Sequence, residues 1–121
     1  VRLEVAKRKG KARMLWFTSK GERRSLVVSH GNGCVFLSAL SYSEFTRETL
    51  PPSLPAALLR RNDELTIGGW AMNTDDPDID LTCQYCFPAA EVTPENFRVA
   101  CLALVEETHE LDESLEKDGL L

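Results

Sequence analysis

Apolar and polar residues alternate over residues 1–9, with Val1, Leu3 and Val5 on one side and Arg2, Glu4 and Ala6 on the other. Residues 12–18 are rich in aromatic and aliphatic β-formers, and Gly10 separates the two runs, so the pattern predicts a pair of strands. Lys20-Gly21-Glu22 is a turn. Residues 25–29 form a compact apolar strand, and His30-Gly31-Asn32-Gly33 predicts a tight hairpin, because Asn and Gly tolerate positive φ. Residues 34–40 are the return strand. Hydrophobicity is continuous in these two strands, which places them in the middle of a sheet.

Pro51, Pro52 and Pro55 prevent a long helix through residues 43–55. Ser53 with Pro55 predicts a short helix over Ala56, Ala57, Leu58 and Leu59 that ends at Arg60-Arg61-Asn62. Residues 65–72 read as a strand softened at its centre by two glycines, and 75–78 as a turn around Pro77. Ile79, Leu81, Cys83, Tyr85 and Phe87 then alternate with polar neighbours, the clearest period-2 strand in the chain. Thr93-Pro94-Glu95 opens a helix with a cap, a first-turn proline and an acid. Phe97, Cys101, Leu104, Val105, Thr108, Leu111 and Leu115 share one stripe, while Glu106, Glu107, Glu110, Glu113 and Glu116 take the solvated side. Gly119 stops this six-turn helix, which is long enough to span a sheet face. The expected fold is α+β over residues 1–121 as one domain. It is a twisted antiparallel sheet of hairpins with a short helix and a long C-terminal helix packed on it. No strand–helix–strand crossover is present, so a parallel nucleotide-binding sheet is excluded.

Composition refines this picture. With 43% apolar and 27% charged residues the chain is an ordinary globular one and not a disordered one. Its net charge of −5 is unevenly spread. Residues 1–24 carry nine Lys/Arg against Glu4 and Glu22, a balance of +7, and the remainder balances at −12. An acidic chain is a poor wholesale binder of polyanions. The longest apolar runs, 34–37 and 101–105, fall far short of the roughly 20 residues a membrane span needs. No secretory leader pattern is visible, and four cysteines are too sparse for a disulfide scaffold, so a reducing, cytoplasmic setting is expected. The first residue is Val, which reads as a fragment or a lost start.

Candidate chemistry is thin. Cys83-Gln84-Tyr85-Cys86 has the spacing of a redox or zinc pair, but residues three apart on a strand diverge to opposite faces. Zinc would need two more ligands, for which only His30 and Cys34 are convenient, so the expected reading is a buried Cys83 beside an incidental Cys86 and no metal. His109 stands among Glu106, Glu110 and Glu113, a setting that favours its protonated form without a catalytic task. Asp75, Asp76, Asp78 and Asp80 have the acid density of a calcium loop but lack its glycine and closing Glu. No nucleophile stands in a recognisable turn, so no enzyme activity and no cofactor are expected. Lys7, Arg8, Lys9, Lys11 and Arg13 form a basic hairpin tip close to Trp16 and Phe17. Three readings compete for it: edge-strand lysines that discourage aggregation, an acidic partner such as the helix of a second copy, or a single-stranded nucleic acid. The apolar residues expected to be exposed for partner contact are Trp16, Phe17, Leu58, Leu59 and Trp70.

From Leu26 to Leu115 the order of elements resembles the YbjN family, whose fold is that of the type III secretion chaperones. The resemblance is carried by the hairpin 26–40, Leu54-Pro-Ala-Ala-Leu-Leu-Arg-Arg-Asn62, the strands 65–72 and 79–87, and Thr93-Pro-Glu-Asn-Phe97 opening a helix that ends Leu111-Asp-Glu-Ser-Leu115. It implies a twisted antiparallel sheet flanked by helices, frequently a homodimer, with no catalysis and no cofactor. It also implies protein binding of a chaperone-like kind, or regulation of signalling and stress responses. The departure is at the front, where the family has a helix before its first strand and residues 1–24 read as basic strands.

Overall fold

The structure, a computed structural model, describes residues 2–9, 12–75 and 77–119, with side chains for residues 13–18, 20–75 and 77–119. The chain is α+β. Its strands are β1 (Arg2–Lys9), β2 (Ala12–Ser19), β3 (Glu22–Gly31), β4 (Cys34–Leu40), the two-residue β5 (Phe45–Thr46), β6 (Gly69–Asn73) and β7 (Asp78–Pro88). Its helices are α1 (Leu54–Glu64) and α2 (Pro94–Lys117), with a 3-10 turn at Ala89–Glu91. Six strands form an antiparallel sheet in the order β1-β2-β3-β4-β7-β6, and β5 adds to β7 beyond the end of β4. Strands β3 and β4 are interior, as their continuous hydrophobicity predicts.

Local chemistry sets the turns. Lys20 and Gly21, then Asn32 and Gly33, all take positive φ, the geometry that lets a two-residue turn follow the twist of an antiparallel pair. Helix α2 begins with a reciprocal cap in which the Thr93 hydroxyl accepts from the Asn96 amide and the Asn96 side chain accepts from the Thr93 amide. Ser53 sits at the start of α1 without a side-chain cap bond, so proline in the first turn supplies the helix start there.

The strand expected at 65–72 begins only at Gly69. Gly68 has φ +93°, outside the extended region, and it meets α2 so closely that a Cβ would lie 2.5 Å from Leu104 Cδ2. Residues 65–68 are therefore an approach loop that lets β6 pass beneath the helix. Asn62, at the end of α1, completes that edge. Its side chain accepts from the Trp70 amide at 2.5 Å and donates to the Trp70 carbonyl at 3.2 Å, occupying the outer ladder position of an edge strand.

Burial alternates strictly on β7, where Ile79, Leu81, Cys83 and Phe87 are buried and Asp78, Gln84, Cys86 and Pro88 exposed. These inward residues join Leu15, Phe17, Leu26, Leu37 and Ala39 under Cys101, Leu104, Val105, Leu111 and Leu115 of α2. Each fully buried Leu contributes roughly 1.5–3 kcal/mol of transfer free energy. The helices thus cover one face of the sheet.

Candidate functional site

Three of the residues expected to be exposed for partner contact lie in the core. Phe17, Leu58 and Trp70 are buried beneath the helices. Phe17 shares the strand parity of Leu15, so it faces α2 and not solvent. Trp70 is held further by its indole N–H, which donates to Glu107 Oε1 at 2.9 Å, and Glu107 is in turn gripped by Arg61 at 2.6 Å. Glu107 is therefore buried, and not on the solvated side of α2 where its spacing put it. Leu59 is 69% exposed on α1, and Trp16 is half-buried on the opposite face of the sheet.

That opposite face carries the most extended exposed apolar surface. Val27, Phe36 and Leu40 are exposed on β3 and β4, and Met14 and Trp16 are half-buried on β2. Register aligns them: Met14 pairs with Val27, Val27 with Ser38, and Trp16 with Ser25. Between them stand Ser25, Ser29, Ser38, Thr82 and Gln84, none of which ionises at neutral pH. A shallow depression of about 500 Å³ opens along Ser29, Phe36, Ser38, Gln84 and Cys86. The Arg23 guanidinium covers the Trp16 ring at 4.3 Å. The centre of this face is apolar and uncharged, the composition of a protein-contact core.

The basic cluster falls only partly within the described residues. Lys7, Arg8 and Lys9 lie on the edge strand β1, paired with Met14, Arg13 and Ala12, while Lys11 lies outside the described residues. Arg13 is exposed, three residues from Trp16 on one strand, so the two project to opposite faces. The ladder sets Lys7 opposite Met14 and Glu4 opposite Trp16, while Phe17 is buried on the other face.

The covered face ends in a buried polar cluster that sequence reasoning missed. Arg24 and Asp112 are an ion pair across β3 and α2, with side chains 3% and 5% exposed. Asp112 also accepts from the Ser41 hydroxyl at 2.5 Å and from the Tyr42 amide at 3.1 Å. Tyr42 lays its ring over Arg24 at 4.1 Å and donates its hydroxyl to the Arg23 carbonyl. His109 is buried beside this pair, with Nδ1 3.2 Å from Arg24 Nη2 and 3.3 Å from Glu22 Oε2. Its Nε2 lies 2.9 Å from Glu113 Oε1, and that bond, above all, holds the Glu113 carboxyl below the usual glutamate range. His109 is thus enclosed among Arg24, Glu22 and Glu113. Two signals marked the cluster. Arg24 has the strand parity of Leu26, and Asp112 follows Thr108 by four positions and Val105 by seven on the buried stripe.

This cluster holds a serine, a histidine and an aspartate without the geometry of a nucleophile. The Ser41 hydroxyl bonds Asp112 and Ser43, and the His109 nitrogens face Arg24, Glu22 and Glu113. Among the described residues no group of three or more His, Cys, Asp or Glu could hold a metal ion. Cys83 and Cys101 are buried, and burial pushes each thiol up to about 12. Cys86 is exposed on the open face and Cys34 is half-buried, on adjacent strands. Desolvation and then the neighbouring Cys34 thiol raise the Cys86 pKa. Among the described residues no helix is long and apolar enough to cross a membrane. No protein-family model matches the chain, and no curated protein or solved structure matches it either.

Proposed function

We propose that this chain is a non-catalytic, cytoplasmic protein-binding domain, chaperone-like or regulatory as in the YbjN proteins it resembles, and that its first partner is a second copy of itself. The observation that carries the reading is the uncharged apolar centre of the open sheet face, with Val27, Phe36 and Leu40 exposed beside Met14 and Trp16. Water contacts apolar surface there that a second sheet would cover at about 25 cal/mol per Å².

Charge distribution favours a second copy over an unrelated partner. One edge of the sheet is the strand β1, with Arg2, Lys7, Arg8 and Lys9 against Glu4. The other edge is the β6–β7 hairpin, where Asp75, Asp78 and Asp80 lie. Through the ladder Lys7 stands level with Gln84 and Lys9 with Cys86, so the basic and acidic corners lie diagonally across the sheet. A two-fold axis oblique to the strands, between two open faces, sets one over the other. Such a contact is self-complementary and packs the sheets with their strands crossing steeply. Attraction at the rims then selects this orientation around a neutral centre.

Sedimentation equilibrium over a range of concentrations is the test. The expected result is a reversible dimer that Phe36→Glu and Val27→Glu each convert to a monomer of unchanged far-ultraviolet dichroism. A wild-type chain that stays monomeric at high concentration, and recovers no protein partner by affinity capture, overturns the reading. Salt-sensitive binding of a single-stranded oligonucleotide, lost in Lys9→Glu and Lys11→Glu, would replace it with nucleic-acid recognition.

A further inference from the structure

The thiols of Cys83 and Cys101 are shut away in the core, so the accessible sulfur chemistry belongs to Cys34 and Cys86. The β4–β7 ladder pairs Cys34 with Pro88 and Phe36 with Cys86. Opposed residues share a face, as do residues two apart on a strand, so Cys34 and Cys86 are diagonal neighbours on the open face. After desolvation, the neighbouring Cys34 thiol raises the Cys86 pKa, as a group close by on the same face does. Neither is held in a disulfide, and neither belongs to the core cluster.

We propose that Cys34 and Cys86 are a reversible, hydroperoxide-sensitive thiol pair that closes into a disulfide across β4 and β7. The chemistry balances as two steps. The exposed Cys86, as thiolate, attacks one oxygen of hydrogen peroxide; the O–O bond breaks, Cys86 becomes a sulfenic acid, and the other oxygen leaves as water after taking up a proton. Cys34 then attacks the Cys86 sulfur, forming the S–S bond and expelling a second water. Two thiols are oxidised by two electrons in all, and one peroxide is reduced to two waters.

Position decides the order and the lability. Cys86 is the more exposed sulfur and meets the oxidant first, while the half-buried Cys34 is close enough to resolve it before a second oxidation. Diagonal neighbours in a sheet stand farther apart than the ~3.8 Å between Cβ atoms that a relaxed disulfide requires. Closure therefore draws the start of β4 toward β7. Cys34 is the first residue of β4, directly after the Asn32-Gly33 turn. A bond formed under that tension is easily reduced, the property of a switch rather than a structural staple. This chemistry belongs to the single chain. Cys86 lies opposite Phe36, so it is open to oxidant in the monomer and covered in the proposed dimer, and the oxidation is run on protein dilute enough to be monomeric.

The test uses purified, reduced protein treated with a small excess of hydrogen peroxide. Free-thiol titration after unfolding is expected to fall from four thiols to two, and peptide mapping without reductant to return one Cys34–Cys86 cross-link. Dithiothreitol should restore all four thiols. Cys34→Ser is expected to leave a sulfenic acid on Cys86 that dimedone traps, at least tenfold more than in wild type. Cys86→Ser is expected to show no intramolecular cross-link. Unchanged thiol counts, or a Cys86 sulfinic acid or intermolecular disulfide in place of the 34–86 bond, overturns the proposal. Circular dichroism of the two variants separates lost chemistry from lost fold.

Discussion

The two faces of the sheet are made by the same strands, and each inverts what polarity alone would assign. On β3, Arg24 is 2% exposed while its close neighbour Val27 is 37% exposed. The face under α2 holds an arginine, an aspartate and a histidine at its end, and the face away from the helices presents Phe36 and Leu40 to water. Strand parity, set by which face the helices cover, therefore overrides residue type. The covered face tolerates charge because its carboxylate is fully engaged: Asp112 takes bonds from Arg24, Ser41 and the Tyr42 amide. The open face tolerates apolar surface, which in the proposed reading a second copy covers.

The sharpest way to break this contrast is to remove the buried charge's partner. Asp112→Ala leaves the enclosed Arg24 with only the half-exposed Glu22 carboxylate at 3.3 Å, and its Nε already has no hydrogen-bond partner among the described residues. The expected loss is about 3–5 kcal/mol, read from the urea midpoint. Replacing both partners together, with Arg24→Met and Asp112→Leu, should recover most of that loss. A double variant as unstable as the single one would show that the cluster is held by the shape of the site and not by the ion pair.

Next in size is the close approach that brings β6 under α2. Gly68→Ala puts a Cβ against Leu104 at φ +93°, so about 1–3 kcal/mol should be lost to strain. The same change at Gly33, also at positive φ but with nothing within 4 Å, should cost less, because only the backbone term remains. Equal losses would show that the helix contact is not what fixes this loop.

Much of the fold was legible because its signals are local. Period-2 burial in β7, the Asn32-Gly33 turn and the Thr93 cap each act over a few residues. The strand expected at 65–72 misled because Gly68 and Gly69 look like a softened strand, while the fixing contact comes from Leu104, distant in sequence. The open face was only partly legible. Trp16 was singled out, but Val27, Phe36 and Leu40 were not, since continuous hydrophobicity marks a central strand without saying whether both faces are covered. Phe17, Leu58 and Trp70 were misplaced for the converse reason, as an aromatic or leucine in sequence carries no label of its face. Arg24 and Asp112 were masked by their neighbours, one inside a basic run and the other on an acidic helix.

On the open face, stability and assembly should separate. Phe36→Ser removes a side chain already 41% exposed, so the unfolding free energy of the isolated chain should move by about 0.5–1 kcal/mol. The proposed self-association should weaken at least tenfold in the same variant. A large stability loss with unchanged association would mean that Phe36 belongs to the core and that the face is not a contact surface.

The smallest effect probes the border between the two regimes, where Glu113 meets the buried His109 at the surface. His109 bonds the Glu113 carboxylate and, with help from its own charge and from Lys20 and Lys117, depresses its pKa against a weaker opposing desolvation. A carboxylate whose folded pKa lies below its unfolded value stabilises the native state above the unfolded value and loses that contribution as pH falls through the folded one. Wild type should therefore exceed Glu113→Gln slightly at neutral pH. The gap between their urea midpoints should begin to close below about pH 4.3, the ordinary glutamate value, and vanish once Glu113 is protonated in both states. Because every other carboxylate titrates alike in the two proteins, the difference isolates this one bond. A gap that persists unchanged at pH 3 would mean that Glu113 contributes by packing, and that the His109 ring is fixed by Arg24 and Glu22 at its other nitrogen.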